Sequence, residues 1–143
     1  MLRLSKKADY AIILLSHLGE ASGPVSAQEM ASNYHLPQPM TANILKQLAA
    51  SKLVESTRGV QGGYLLHCKA NQISLAEIVR VIDGPFNFVE CAHGASKCCV
   101  SATCPTRVPL QALHKRLYEF MDSVTLESLM QHRGLQPVWS EKD

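Results

Sequence analysis

The sequence predicts a mainly α-helical protein, in which three helices and a two-stranded β-hairpin are followed by a cysteine-rich loop and a long C-terminal helix. Three observations support this fold class. Apolar residues recur at helical spacing in the first part of the chain. A glycine-rich stretch separates two short segments of β character, as a hairpin tip does. Four of the five cysteines fall within fourteen consecutive residues, which marks a loop with its own chemistry.

Each of the first three helices is indicated by an apolar face or by a start signal. The first is expected at about residues 5–20, and its inward face is formed by Ala8, Ala11, Ile12, Leu15 and Leu18. The second begins at Ser26, where a Ser-x-x-Glu pattern forms a capping box, and is expected to stop near Tyr34. The third starts near Pro39, because proline is tolerated in a first helical turn.

Two short β segments, at about residues 53–57 and 64–67, flank the glycine-rich stretch at 58–63. A fourth helix begins at Ser74 with a second capping box and ends at a Gly-Pro pair. Helix, short helix, turn, helix and glycine-tipped hairpin, in this order, predict a winged helix-turn-helix. In that fold the third helix enters the major groove of DNA and the hairpin is the wing.

The residues expected to contact DNA lie on the third helix and on the hairpin tip. Thr41 and Asn43 can hydrogen-bond bases or phosphates, and Lys46 is better placed for phosphate. Arg58 can reach a phosphate or the adjacent minor groove. Helix order alone also allows a small helical fold that does not bind DNA, and the glycines can equally serve turn chemistry alone. The candidate set is Gln38, Thr41, Asn43, Lys46, Arg58, Gly59, Gln61 and Gly62.

Length, composition and charge exclude several classes of function. A chain of 143 residues, 46% of them hydrophobic, can bury a core. A net charge of +2 argues against non-specific coating of nucleic acid or membranes, but allows a local basic patch. No apolar run approaches the roughly 18 residues of a membrane span, and no secretory signal is found, so a cytoplasmic location is expected. The sequence contains no evident nucleophile–base constellation or nucleotide-phosphate loop, so an enzyme is the least expected class.

The cysteines lie in a loop of about 20 residues that has no helical or strand period. Thiolates bind soft metals. The order Cys91-x6-Cys98-Cys99-x4-Cys104 suits an iron–sulfur cluster and does not match the closely paired cysteines of structural zinc sites. Only one of the adjacent pair is expected to be a ligand, and His93 is a further candidate. A zinc loop and a thiol–disulfide switch remain alternatives. An iron–sulfur carrier that does not bind DNA is another.

The last long helix is expected to begin near Pro109 and to form a dimer. Its apolar residues recur at spacings of 3, 4, 3 and 4, which is a coiled-coil seam. The seam residues are Leu110, Leu113, Leu117, Phe120 and Val124. Thr125 is expected to cap a short final helix. The predicted units are a winged helix at 1–84, the cysteine-rich loop at 85–105, the dimerisation and final helices at 106–132, and a flexible tail at 133–143.

Together these features resemble the Rrf-type bacterial regulators, which include the iron–sulfur cluster regulator (IscR) and nitric-oxide-sensing repressor (NsrR) types. The resemblance covers the chain to about residue 130. The cysteine loop carries it, together with the segments at 4–11 (LSKKADYA), 58–66 (RGVQGGYLL) and 125–129 (TLESL). It implies a homodimeric repressor of iron–sulfur assembly genes, whose affinity for a palindromic operator depends on its cluster. A nitric-oxide or redox sensor of the same architecture is the alternative.

The resemblance also implies a set of cluster ligands. Three loop cysteines hold the cluster, and the family spacing favours Cys98 over Cys99. The histidine ligand of the [2Fe–2S] branch is Arg107 here, whereas the aspartate ligand of the [4Fe–4S] branch, which comes from the partner subunit, matches Asp9. Asp9 can instead merely stabilise its helix. The cluster type therefore stays open, as does the fourth ligand, for which His93 or water is the alternative.

The operator sequence is not implied by the resemblance. The acidic residue that discriminates bases in the histidine branch is Ala42 here.

Overall fold

The computed structural model describes residues 3–92, 98–100 and 102–131 as six α-helices and one two-stranded sheet. The elements, in chain order, are α1 (Lys6–Glu20), α2 (Ala27–Asn33), α3 (Gln38–Ala50), β1 (Val54–Thr57), β2 (Gly63–Leu66), α4 (Leu75–Asp83), α5 (Arg107–Ser123) and α6 (Leu126–Gln131). A short 3₁₀ turn, Ala70–Gln72, precedes α4. Between α4 and α5 the described residues contain neither helix nor strand, as predicted.

Serine caps begin three of the helices. Ser5 Oγ accepts the Ala8 N–H at 3.0 Å, and Ser26 Oγ accepts the Glu29 N–H at 3.1 Å. The third cap, Ser74, begins α4 in the same way. Each bond satisfies a backbone donor that the first helical turn leaves free. The helix starts were therefore predictable to within a residue or two.

The core lies where α1 crosses α3 and α4, with α6 packed against α1. The largest side chains that are fully buried are Leu14, Leu15, Met30, Ile44, Leu45, Leu48, Ile73, Ile78 and Leu126. Ile12, predicted to face inward, is only half-buried, and Leu14 occupies the core instead. Helices α1, α2 and α4 pack against α3, so that one face of α3 lies inward and the opposite face is open.

The hairpin is tied to the helical body as well as closed on itself. Its strands pair antiparallel from Val54 opposite Leu66 to Thr57 opposite Gly63. Tyr64 donates its N–H to the Val25 carbonyl at 2.8 Å and accepts the Val25 N–H at 3.1 Å. A Cβ on Gly63 would lie 2.6 Å from the carbonyl carbon of Val25. Glycine is therefore required here for the close approach of two backbones.

The C-terminal end of α5 is joined to the start of α4. The Leu75 N–H donates to the Val124 carbonyl and the Leu126 N–H to the Ile73 carbonyl, both at 2.8 Å. Ser74 Oγ adds a 2.8 Å bond to Asp122 on α5. The structure corrects one seam residue here. Val124 lies after the last helical residue in extended backbone, because the chain leaves the helix to pair with α4.

Other predictions about the C-terminal part have mixed outcomes. The long helix begins at Arg107, two residues before Pro109. The final helix is capped as predicted, since Thr125 Oγ1 accepts the Ser128 N–H at 3.1 Å. The predicted tail at 133–143 and His93 lie outside the described residues. No helix in the described part of the chain combines the length and apolar character needed to cross a membrane.

Candidate functional site

The open face of α3 carries three of the eight residues predicted to contact DNA. Gln38, Asn43 and Lys46 are exposed. Thr41 is not: it is 1% exposed, and its hydroxyl donates to the Pro37 carbonyl at 3.1 Å. The prediction for Thr41 is therefore wrong, because the helix turns its side chain into the core. No residue of α3 is acidic, so the helix itself presents no charge that repels phosphate.

Asn43 is held in place by a residue outside the candidate set. Gln47, one turn later on α3, donates from Nε2 to Asn43 Oδ1 at 3.1 Å. The Oε1 atom of Gln47 is buried and has no hydrogen-bond partner among the described residues. The i, i+4 spacing places the two amides on the same helix face, which was readable from the sequence. This bond restricts the rotation of Asn43 before any DNA is bound.

The turn between α2 and α3 is fixed by a pair that sequence reasoning missed. His17 Nδ1 on α1 lies 2.9 Å from the Tyr34 hydroxyl, and the two rings meet edge to face. His35 follows with a φ of 52°, which is uncommon for a residue other than glycine. The pair anchors the chain immediately before the helix that is predicted to face DNA.

The hairpin tip contains glycines that set the backbone conformation and, beside them, exposed side chains. Gly59 has a φ of +116°, which disfavours any residue with a Cβ. A Cβ on Gly62 would lie 2.4 Å from the Thr57 carbonyl oxygen, so Gly62 closes the hairpin. Both glycines thus have a structural role in the tip, as the turn-chemistry alternative proposes. Arg58 and Gln61 are exposed beside them.

The structure adds one tip residue that the sequence analysis passed over. Val60 is fully exposed, an unusual position for a large apolar side chain. It lies between Gly59 and Gln61, within the stretch already predicted to reach DNA. An apolar residue among glycines and polar residues was the available signal.

The four loop cysteines are free thiols, and Cys91, Cys98 and Cys104 are each half-buried while Cys99 is exposed. Within the described ranges, no three Cys, His, Asp or Glu side chains are close enough together to hold a metal ion. Asp9 is exposed in the first turn of α1. The donor types therefore fit an iron–sulfur cluster, but the described residues do not form an assembled metal site.

Both ends of the cysteine loop are attached to the start of α5. Cys91 accepts a 2.8 Å hydrogen bond at its carbonyl from Gln111 Nε2. Cys104 lies three residues before the helix, and its Sγ is 3.3 Å from Thr106 Oγ1. Hydrogen bonding from Thr106, with a smaller contribution from the charge of Arg107, lowers the pKa of the Cys104 thiol. Cys104 is therefore the loop cysteine whose surroundings favour the thiolate.

The fifth cysteine has the opposite environment. Burial raises the pKa of Cys68, and the nearby carboxylate of Glu77 raises it further. Cys68 lies on the exit of the hairpin and packs against the core. It thus has the properties of a structural thiol.

The outer face of α5 leaves apolar side chains in solvent. Phe120 is 66% and Leu113 41% exposed, whereas Leu110 and Leu117 are half-buried. Four of the five predicted seam residues thus lie on one helix, and the described part of this chain covers two of them in part and leaves the other two exposed.

These observations define a class: a winged-helix transcription regulator with an exposed recognition helix and a separate cysteine-bearing loop. Residues 4–132 match the Rrf2 family, described as iron-dependent transcriptional regulators. The chain belongs to the Rrf2 family. It is a DNA-binding regulator rather than an enzyme, and both the predicted family and the predicted fold class are confirmed.

Individual relatives support the same assignment. The transcriptional regulator IscR of Photobacterium profundum is 26% identical over 144 residues, which cover 99% of this chain and 83% of the relative. Among solved structures, CymR, the global cysteine regulator of B. subtilis, has a TM-score of 0.75 at 28% identity and covers 92% of this chain and 98% of its own. IscR of T. potens has a TM-score of 0.71 at 26% identity, with 95% and 94% covered.

Proposed function

We propose that this protein is a homodimeric repressor of iron–sulfur assembly genes, acting in the cytoplasm on a palindromic operator. Its affinity for DNA is controlled by an iron–sulfur cluster held by Cys91, Cys98 and Cys104. The observation that carries the proposal is the attachment of both ends of the cysteine loop to α5. The family description as iron-dependent, and relatives named IscR, support the choice of metal.

The chemistry of the loop supports a cluster. Three thiols without disulfide partners are soft ligands for iron. The lowered pKa of Cys104 favours the deprotonated form that a metal requires. A bound cluster would supply a redox-sensitive centre. A bound cluster would hold the three thiols at one centre, so the loop with the cluster would differ in arrangement from the loop without it.

A path made of this chain's own residues leads from the loop to the DNA-binding face. The start of α5 holds the loop, and the end of α5 is bonded to α4 through Ser74 and Asp122. Helix α4 packs against both α1 and α3. A shift of α5 therefore reaches the recognition helix and, in a dimer, the distance between two recognition helices. Half-sites about one helical turn apart make that distance decisive.

The dimer is proposed to form through the exposed face of α5. Phe120 and Leu113 project from the side of the helix that residues 3–92, 98–100 and 102–131 leave exposed. Burying a large apolar side chain contributes roughly 1.5–3 kcal/mol, so a symmetric pairing of such helices is favourable. Leu110 and Leu117 complete the same stripe.

The test is purification without air, followed by absorbance, iron and sulfide analysis and gel retardation of promoter DNA. Wild-type protein should be coloured, contain iron and sulfide, and retard DNA. Cys98→Ser should lose the cluster, whereas the matched variant Cys99→Ser should keep it. A colourless wild-type protein without sulfide would contradict the cluster. Failure to retard any promoter DNA would contradict the repressor and favour an iron–sulfur carrier that does not bind DNA.

The fourth ligand is proposed to be Asp9 of the partner subunit. Asp9→Ala should change the absorption spectrum or lose the cluster while folding and dimerisation persist. Mixed dimers of Asp9→Ala with Cys91→Ala sharpen the test. Ligation in trans leaves one complete site per dimer and hence about one cluster, whereas ligation in cis leaves both sites short of a ligand. An unchanged spectrum in Asp9→Ala would point to His93 or water.

A thiol switch is the second candidate. The adjacent cysteines and the lowered pKa of Cys104 favour it. Such a regulator would be colourless and lack sulfide, yet change its DNA affinity on treatment with peroxide and regain it with a thiol reductant. A nitric-oxide sensor would instead carry the cluster and lose DNA binding when the gas is added.

A further inference from the structure

One polar cluster beside the cysteine loop has no part in the proposed ligand set. Among the residues of α5, all of which the structure describes, only His114 is buried, at 8% exposure. Its Nδ1 accepts the Phe88 N–H at 3.3 Å. Its ring lies nearly parallel to that of Phe86, at a centroid distance of 5.5 Å. A histidine is thus the most deeply buried residue of a helix that leaves Leu113 and Phe120 exposed.

This arrangement connects two segments that are far apart in the chain. Phe88 belongs to the irregular segment that leads from α4 to Cys91. One helical turn before His114, Gln111 donates to the Cys91 carbonyl at 2.8 Å. Two side chains at i, i+3 on α5 therefore hold residues 86–91 at two points. Without the bond to His114, the Phe88 N–H would lie in an irregular segment that offers it no ladder partner.

We infer that Gln111 and His114 are positioning residues that clamp the first arm of the cysteine loop, residues 86–91, onto α5. The inference rests on the proposed function for its regulatory meaning. The clamp fixes the Cys91 backbone relative to Cys104, which lies at the start of the same helix. It thereby sets how far the loop must move when its thiols converge.

At the His114 end of the clamp, the side chain on α5 must accept a hydrogen bond. An imidazole accepts a backbone N–H at Nδ1 only when that nitrogen carries no proton. Asparagine places an amide oxygen at a similar distance from the backbone, whereas leucine fills space without an acceptor. His114→Asn should therefore keep the clamp that His114→Leu removes. At the other point, Gln111→Met keeps the length of the side chain and removes its donor.

The experiment measures alkylation of Cys91 in the metal-free, full-length protein by timed iodoacetamide labelling and mass spectrometry. Cys68 is the internal reference for folding of the winged-helix part. His114→Leu and Gln111→Met should each raise the Cys91 rate roughly 2–10-fold, the factor expected for one hydrogen bond of ordinary strength. The Cys68 rate should not change. His114→Asn and the control Lys115→Gln, one residue along α5, should match wild type.

Three results would overturn the clamp. The first is a Cys91 rate in His114→Leu that equals the wild-type value, and the second is a rate in His114→Asn as fast as in His114→Leu. The third is a parallel acceleration of Cys68, which would make His114 an ordinary packing residue. Because the metal-free chain is assayed, these results are independent of the cluster. If anaerobic wild-type protein lacks iron and sulfide, the proposed function fails while the alkylation pattern still decides the clamp.

Discussion

The winged-helix part and the α5 part of this molecule bury their apolar residues in opposite ways. Between Ala8 and Ile82, α1, α3 and α4 enclose a continuous core. Helix α5 buries only His114 and leaves Phe120 and Leu113 in solvent. The first part therefore completes its fold within one chain. The second leaves apolar side chains exposed on its helix and free thiols on its loop, and the proposed function assigns a second copy to the former and a metal to the latter.

The substitution with the largest expected effect places a charge among the seam residues of α5. Leu117→Glu should convert dimers to monomers in light scattering while circular dichroism shows that the helices persist. Removing one leucine from each side of a symmetric interface forfeits roughly 3–6 kcal/mol, which weakens dimerisation more than about a hundredfold. Ala112→Glu, a charge on the same helix outside the stripe, is the control. A fully dimeric Leu117→Glu would remove α5 as the interface.

A second test uses two glycines of the winged-helix part. Gly63→Ala should lower the free energy of unfolding by about 1–3 kcal/mol, because its Cβ would press on the Val25 backbone. Gly23→Ala should cause no loss, since no heavy atom lies within 4 Å of its added Cβ. Urea unfolding of both variants makes the comparison. Equal stability of the two would mean that the wing is not held against the body by this close approach.

The third test concerns the wing tip. Arg58→Ala should reduce DNA affinity and lower the slope of log affinity against log salt by about one unit, if the contact is to phosphate. A loss greatest on A·T-rich flanks would instead indicate the minor groove. Lys115→Ala removes the same charge from α5 and should leave the slope unchanged. Fluorescence anisotropy at several salt concentrations measures both; identical slopes for Arg58→Ala and wild type would exclude Arg58 from the interface.

The helix starts and the hairpin could be predicted from the sequence alone. The helix starts at Ser5, Ser26 and Ser74 were predictable because a capping bond joins residues only three apart. The hairpin was predictable because its glycines serve local backbone geometry. Local signals of this kind do not depend on the rest of the fold.

The errors and omissions depended on contacts between distant segments. By spacing alone Thr41 fits an exposed helical position, but the packing of α3 buries it. Val124 fits the heptad spacing, but its carbonyl accepts the Leu75 N–H at the start of α4. His114, on α5, and Phe88, in the segment without periodicity, are 26 residues apart. No window of sequence shows that they meet, so the clamp could be found only from the structure.

The smallest effect is a difference in pH dependence between the two kinds of cysteine. Because only the thiolate reacts, a lowered pKa moves the alkylation curve to lower pH and a raised pKa moves it to higher pH. In metal-free protein Cys104 should therefore react at lower pH than Cys68. Thr106→Val should shift the Cys104 curve upward and leave Cys68 unchanged. The opposite order of the two curves would contradict the assigned environments.

The central claim is that the cysteine loop controls DNA affinity, and one measurement tests it most directly. Affinity for a palindromic promoter fragment is determined without air for one preparation, before and after removal of iron by a chelator. We expect the two forms to differ by about 5–150-fold, the usual range for coupled sites. Cys98→Ser should show the affinity of the iron-free form under both conditions. Equal affinity of the two wild-type forms would contradict the account.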